Sequence, residues 1–207
     1  MLKNGKFAIF ISLAIVVASC IIVKEKVPDE EFSSEFTLLS KPTVPIGDIA
    51  IRSERGDMIA YLPQGWFLVD LEEKAPTNIF AVGVNPDYTL SIIFSRLTNK
   101  LDVVEILKEQ GLLGLATKSF EIKQLKSLNN IKLLGNFEPI KNGTQKFYIF
   151  KYQNLTNKLV GKSAIFVTPL SEVYEFALIQ LDFKEQPTIS ESDFDNIFNS
   201  VLSTIKF

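Results

Sequence analysis

The sequence predicts an α+β fold, an antiparallel β-sheet covered by helices. Three observations carry that class. The second half holds three strand-length runs rich in aromatic and β-branched residues, "KFYIFKYQNL", "LVGKSAIFV" and "VYEFALIQL". The links between them are short, so consecutive strands run antiparallel. The chain then ends in one helical stripe, where Phe194, Ile197, Phe198, Val201, Leu202 and Ile205 recur at i, i+3, i+4, i+7, i+8 and i+11.

The amino terminus reads as targeting rather than fold. Lys3 and Lys6 precede an apolar run from Phe7 to Ala18, and small residues lead into Cys20, the only cysteine of 207 residues. This is the pattern of a secretory signal. The alternative is an uncleaved anchor, since the 17 residues Phe7 to Val23 are uncharged and near the lower limit for a spanning helix. From Lys24 to about Gly47 the composition turns to charge, Ser and Pro without sustained periodicity, which is tether composition. The expected organisation is thus a signal at 1–19, Cys20 with a flexible tether at 20–47, and a domain at 48–207.

Within the domain, "DMIAYLPQGWFLVDL" predicts two strands broken by a turn at Leu62–Gly65. "IFAVGV" and "TLSIIFSRL" flank Asn85–Tyr88 as a hairpin, with Leu90, Ile92 and Phe94 on one apolar face. Asp102 with Glu105 has capping-box spacing ahead of Val103, Ile106 and Leu107. That helix is expected to end near Gly111 or Gly114, with a second short one around Ser119 to Leu128. Ser190 or Ser192 caps the terminal helix.

Composition excludes several chemistries. There is no histidine, which removes Ser-His-Asp and Cys-His nucleophile systems and the commonest zinc ligand. Net charge is −2, without the basic footprint of a nucleic-acid binder. Of 22 basic residues only Arg52, Arg55 and Arg96 are arginines, so bidentate phosphate forks are few. One cysteine allows no intrachain disulfide. No Gly-rich phosphate loop, CxxC, HExxH or GxSxG occurs.

Two resemblances add to this. "VASC" resembles a bacterial lipobox, which implies cleavage before Cys20, lipidation of its thiol and acylation of the new amino terminus. Each buried methylene of such chains contributes roughly 0.8 kcal/mol of membrane binding. Ile21, where some Gram-negative lipoproteins carry an inner-membrane retention Asp, favours the outer membrane. The domain resembles the PsbP-like superfamily, which includes PsbP, DcrB-type bacterial lipoproteins and a Ran-binding nuclear-import factor. The likeness lies in "MIAYLPQGWFLV", in "SIIFSRL" followed by a helix, in the meander "KFYIFKYQNL…GKSAIFVTPLSEVYEFAL", and in "FDNIFNSVLSTIKF". It implies an α/β/α sandwich with binding or assembly roles rather than catalysis. Metal sites that rest on His in some members cannot be carried over.

The candidate residues are few. Trp66, in "GWF", reads either as an exposed anchor for a partner protein or as a core aromatic at a strand start. Tyr148 and Tyr152 share a strand face with Phe150, and form a partner surface only if no helix covers that face. "STIK", Ser203 to Lys206, matches a Ser-x-x-Lys spacing, but it falls in the last turn of an amphipathic helix, where Lys meets the dipole. Glu72-Glu73 and the pair Asp193 and Asp195 lack an acid–base environment, and Asp29, Glu30 and Glu31 read as a solvated stretch. The expectation is a non-enzymatic, lipid-anchored binding or assembly protein of the bacterial cell envelope, without cofactor or metal. Its partners would be the membrane, through acylated Cys20, and an envelope protein. The alternative is a carrier or sensor of a small apolar ligand, which a large apolar cavity would favour.

Overall fold

The structure is a computed structural model and describes residues 36–39, 41–71, 76–97, 103–182 and 189–207. Ten strands and two helices follow in the order β1 (Thr37–Leu38), β2 (Ile46–Arg52), β3 (Ile59–Pro63), β4 (Phe67–Leu68), β5 (Ile79–Val84), β6 (Leu90–Arg96), α1 (Val103–Lys126), β7 (Ile131–Asn142), β8 (Gln145–Asn154), β9 (Val160–Val167), β10 (Val173–Gln180) and α2 (Glu191–Thr204). Eight strands form one sheet in the order β1-β7-β8-β9-β10-β6-β5-β4, and β2 with β3 forms a separate hairpin. Every pairing is antiparallel except that of β1 with β7. The three aromatic runs are β8, β9 and β10, linked as expected from their short turns.

One face of the sheet carries the main core. Ile92 and Phe94 of β6, Phe147 and Ile149 of β8, Phe166 of β9, and Phe176 and Leu178 of β10 all point to it. Against them pack the α2 stripe (Phe194, Phe198, Val201, Leu202, Ile205) and the β2–β3 hairpin (Ile51, Met58, Ala60, Leu62). Phe176 stacks on Phe94 at 5.2 Å and on Phe198 at 4.9 Å, so a continuous aromatic column runs from sheet to helix. Ser190 caps α2 by accepting from Asp193 N at 3.1 Å. Helix α1 lies on the opposite face, over β7, β8 and β9. The result is the expected layering of helix, sheet and helix.

Several elements differ from the sequence reading. Helix α1 is broken at Gly111, whose φ of 63° and ψ of −160° leave the helical region, but it resumes at once and continues to Lys126. Strand β7, twelve residues long, was not expected at all. Its register shifts between Leu134 and Glu138, at Gly135 with φ 74°, and Pro139 interrupts its donors. A bulge and a proline erase the two-residue period that marks a strand, and the two-residue β1 leaves most of β7 near an edge. Part of the expected tether is also folded. Leu38 lies opposite Lys141, and the backbone N–H groups of Thr43 and Val44 both donate to Ser200 Oγ of α2 at 3.1 Å. Lys206 lies beyond α2 rather than in its last turn, in a two-way backbone bridge with Ile59.

A polar cluster locks the β2–β3 turn to the end of the sheet. Asp57 accepts hydrogen bonds from Ser53 Oγ (2.7 Å), Thr168 Oγ1 (2.5 Å) and Tyr174 OH (2.8 Å). Beside it, Glu172 bridges Arg55 Nη1 at 2.6 Å and Arg96 Nε at 2.5 Å, employing two of the three arginines. Burial pushes the Asp57 carboxyl up, but the three hydroxyl donors outweigh it and hold it below its ordinary value of 3.8. A carboxylate with a depressed folded pKa stabilises the fold above its unfolded value, and that stability disappears as pH falls through the folded value. Urea denaturation from pH 7 down to pH 2 is therefore expected to show Asp57→Asn less stable than wild type at neutral pH. The two curves should converge below about pH 4; a constant gap at all pH values would contradict the assignment.

Candidate functional site

The face of the sheet under α1 holds an unusual residue in an apolar strand. In β10, Glu175 stands between Tyr174 and Phe176 and is turned away from the main core, opposite Ser95 of β6 and Ile165 of β9. Two residues four apart on α1 reach it. Ser119 Oγ donates to Glu175 Oε2 at 3.1 Å, and Lys123 Nζ lies 2.8 Å from Oε1, close in distance but not aligned as a hydrogen bond. The Lys123 ammonium also stands 5.7 Å from the centroid of the Tyr152 ring. That ring lies across Gly161, its register partner, where a Cβ would fall 2.3 Å from the ring. Glycine is thus required there by close approach, not by backbone angle. An aromatic trio fixes α1 alongside, with Phe120 against Phe150 at 5.8 Å and Phe137 against Phe150 at 5.4 Å.

Beside this cluster, α1 and the sheet leave an open groove of about 190 Å³. Ile79, Ile93, Leu97, Ile122 and Ile179 supply its apolar lining, and Lys123 with Glu175 its polar wall. Burial pushes the Lys123 ammonium down, but the Glu175 carboxylate and Tyr152 raise it further, so it stays protonated well above neutrality. The Tyr152 phenol is raised, chiefly by burial. At the other polar cluster, burial and the bond to Asp57 push Tyr174 up to about 12. All of these shifts, with that of Asp57, move away from pH 7, whereas an acid–base catalyst is poised near it. The arrangement offers a fixed cation beside an apolar wall.

Trp66, 7% exposed, belongs to the main core at the start of β4, after the turn whose Gly65 has φ 82°. Tyr148 and Tyr152, 5% and 9% exposed, do share a face with Phe150, and α1 lies over that face. In Ser-x-x-Lys, Ser203 Oγ donates to Ser200 O within α2 while Lys206 lies past the helix end, so the two are separately employed. Asp193 sits in the first turn of α2, and Asp195 pairs with Lys162 at 2.8 Å. Cys20, Asp29, Glu30, Glu31, Glu72, Glu73 and Asp102 lie outside the described residues. Among the described residues no group of three His, Cys, Asp or Glu side chains is placed to hold a metal, and no helix is long and apolar enough to cross a membrane. Sequence reasoning missed Ser119, Lys123 and Glu175; the one legible sign was a lone carboxylate inside "VYEFALIQL".

The architecture has solved counterparts. Cyanobacterial PsbP (CyanoP) from Synechocystis superposes with a TM-score of 0.53 at 15% identity, covering 76% of this chain and 91% of the other. The chain carries the PsbP-like fold. Weaker likenesses are to the Ran-binding protein Mog1p of Saccharomyces cerevisiae (TM-score 0.48, 14% identity, 78% and 95% covered) and to LpqN of Mycobacterium tuberculosis, described as involved in cell envelope biogenesis (TM-score 0.46, 16% identity, 77% and 90% covered). No family model and no curated protein sequence matches the chain. At these identities the likeness is one of fold alone.

Proposed function

We propose that the chain is a non-catalytic, lipid-anchored binding or assembly protein of the bacterial cell envelope, held at the outer membrane through acylated Cys20. The observation that carries this reading is the sequence Val17-Ala18-Ser19-Cys20 at the end of an apolar run, ahead of a folded domain. Small side chains admit a peptidase, and the thiol of an otherwise unemployed cysteine becomes the lipid acceptor. The protonation states fixed in the domain support holding rather than chemistry. Fractionation of cells carrying Cys20→Ala tests the anchor. The variant is expected to leave the detergent-extracted membrane fraction or to accumulate with residues 1–19 attached; unchanged membrane retention of a fully processed chain would overturn it.

A second reading, carriage of a small ligand with an apolar body, is favoured by the groove beside α1. Ile93→Trp, which fills that groove, separates the two. It should abolish carriage of a ligand and leave assembly with an envelope partner intact, as read by crosslinking in membranes.

A further inference from the structure

Two pairs of lysines face each other directly across neighbouring strands: Lys151 of β8 opposite Lys162 of β9, and Lys141 of β7 opposite Lys146 of β8. Like charges in directly opposed positions repel. The first pair is answered from α2, with Glu191 at 2.6 Å from Lys151 and Asp195 at 2.8 Å from Lys162. Among the described residues no carboxylate pairs with Lys141 or Lys146, and the Lys141 ammonium rests 4.5 Å from the centroid of the Phe36 ring.

A third lysine is brought to the same end of the sheet. With its amide turned to suit both partners, Gln145 donates to Ile205 O at 2.8 Å and accepts from Phe207 N at 2.9 Å. These bonds flank Lys206, which is exposed, and Asn142 Nδ2 donates to Ser203 O at 3.1 Å nearby. This corner is also where residues 1–35 join the domain. Leu38 of β1 lies opposite Lys141, hence on the same face, and is 76% exposed. Three lysines without a carboxylate partner among the described residues, beside an exposed leucine, set positive charge and apolar surface together, as binding to an anionic interface requires.

We propose that this corner, Leu38 with Lys141, Lys146 and Lys206, docks on an anionic phospholipid surface. The proposal rests on the acylation of Cys20 to supply the membrane. From there the fifteen residues 21–35 reach at most about 50 Å when fully extended, so the corner cannot stand farther than that from the anchored cysteine. The ammonium groups meet lipid phosphates, which relieves the repulsion between Lys141 and Lys146, and Leu38 enters the interfacial layer.

The test uses the full acylated chain in vesicles of pure phosphatidylcholine or of phosphatidylcholine with phosphatidylglycerol. Amine acylation is followed residue by residue by mass spectrometry. Lys132, exposed at the opposite end of β7, is the internal reference. On the anionic vesicles Lys141, Lys146 and Lys206 should react about fivefold more slowly relative to Lys132 than on the neutral ones. The protection should vanish in 1 M salt, where screening acts within about 3 Å. Lys146→Glu, at an exposed position, should weaken protection at Lys141 and Lys206. Equal rates on both compositions would overturn the proposal, as would protection indifferent to salt, which would indicate contact with a second copy of the chain. A chain that stays with neither vesicle would refute the Cys20 anchor, and this proposal with it.

Discussion

Phe198→Ala is expected to destabilise the domain by about 3–5 kcal/mol, the range for emptying a fully buried aromatic site. Phe198 has no exposed surface, stacks on Phe176 at 4.9 Å, and lies under the Lys162 ammonium at 4.8 Å from its centroid. Its neighbours on the sheet side are strand residues fixed by ladder bonds on both edges, so the cavity has little means to collapse. Removal of residues 189–207 is more severe. It uncovers Phe94, Phe166 and Phe176, strips the hairpin of its bridge from Ile59 to Lys206, and frees the backbone of Thr43 and Val44 from Ser200. Against a stability of about 5–15 kcal/mol for a typical domain, the truncated chain should not fold. Urea denaturation of residues 34–207, of their Phe198→Ala variant and of the chain without that segment measures both effects. An unchanged midpoint would mean that α2 is an appendage.

Glu175→Gln should cost about 3–4 kcal/mol at pH 7, because it leaves Lys123 charged against an apolar sheet face without its carboxylate. The lower part of the range for a broken buried pair applies, since the Lys123 side chain keeps 25% of its exposure. The pH dependence gives a sharper reading. In the wild type the folded pKa of Lys123 is raised above its unfolded value, so its contribution is complete below about pH 10 and declines as pH rises further. In Glu175→Gln, burial is opposed only by the smaller effect of Tyr152 and depresses the folded pKa, so stability should instead recover as pH approaches 10. Opposite slopes in alkali distinguish a true ion pair from a packing defect. Lys123→Met combined with Glu175→Leu should restore most of the loss, since replacing a buried pair by apolar groups is often near neutral.

How much of this was legible follows from whether an element's signal is local. Strands β8, β9 and β10 declare themselves as near-continuous aromatic and β-branched runs, buried on both faces, and helix α2 carries its own apolar stripe. The hairpin β5–β6 declares itself through Asn85-Pro86-Asp87 between apolar runs. Strand β7 does not, because Gly135 and Pro139 are accommodated only by a bulge and a short neighbouring strand. Thr43 and Val44 looked like tether because their hydrogen bonds are made with Ser200, more than 150 residues away. The Lys123–Glu175 pair was hidden for the same reason: a helix and a strand must meet before either charge has a partner. Trp66 carried two readings from sequence, and its place in the main core after the Gly65 turn decides between them.

The anchor on Cys20 is the claim on which the functional reading stands, and intact-mass analysis of the protein extracted from native membranes tests it most directly. The expected mass is that of a chain beginning at Cys20, heavier than residues 20–207 by its attached lipid. A mass showing residues 1–19 still joined to the domain would contradict it.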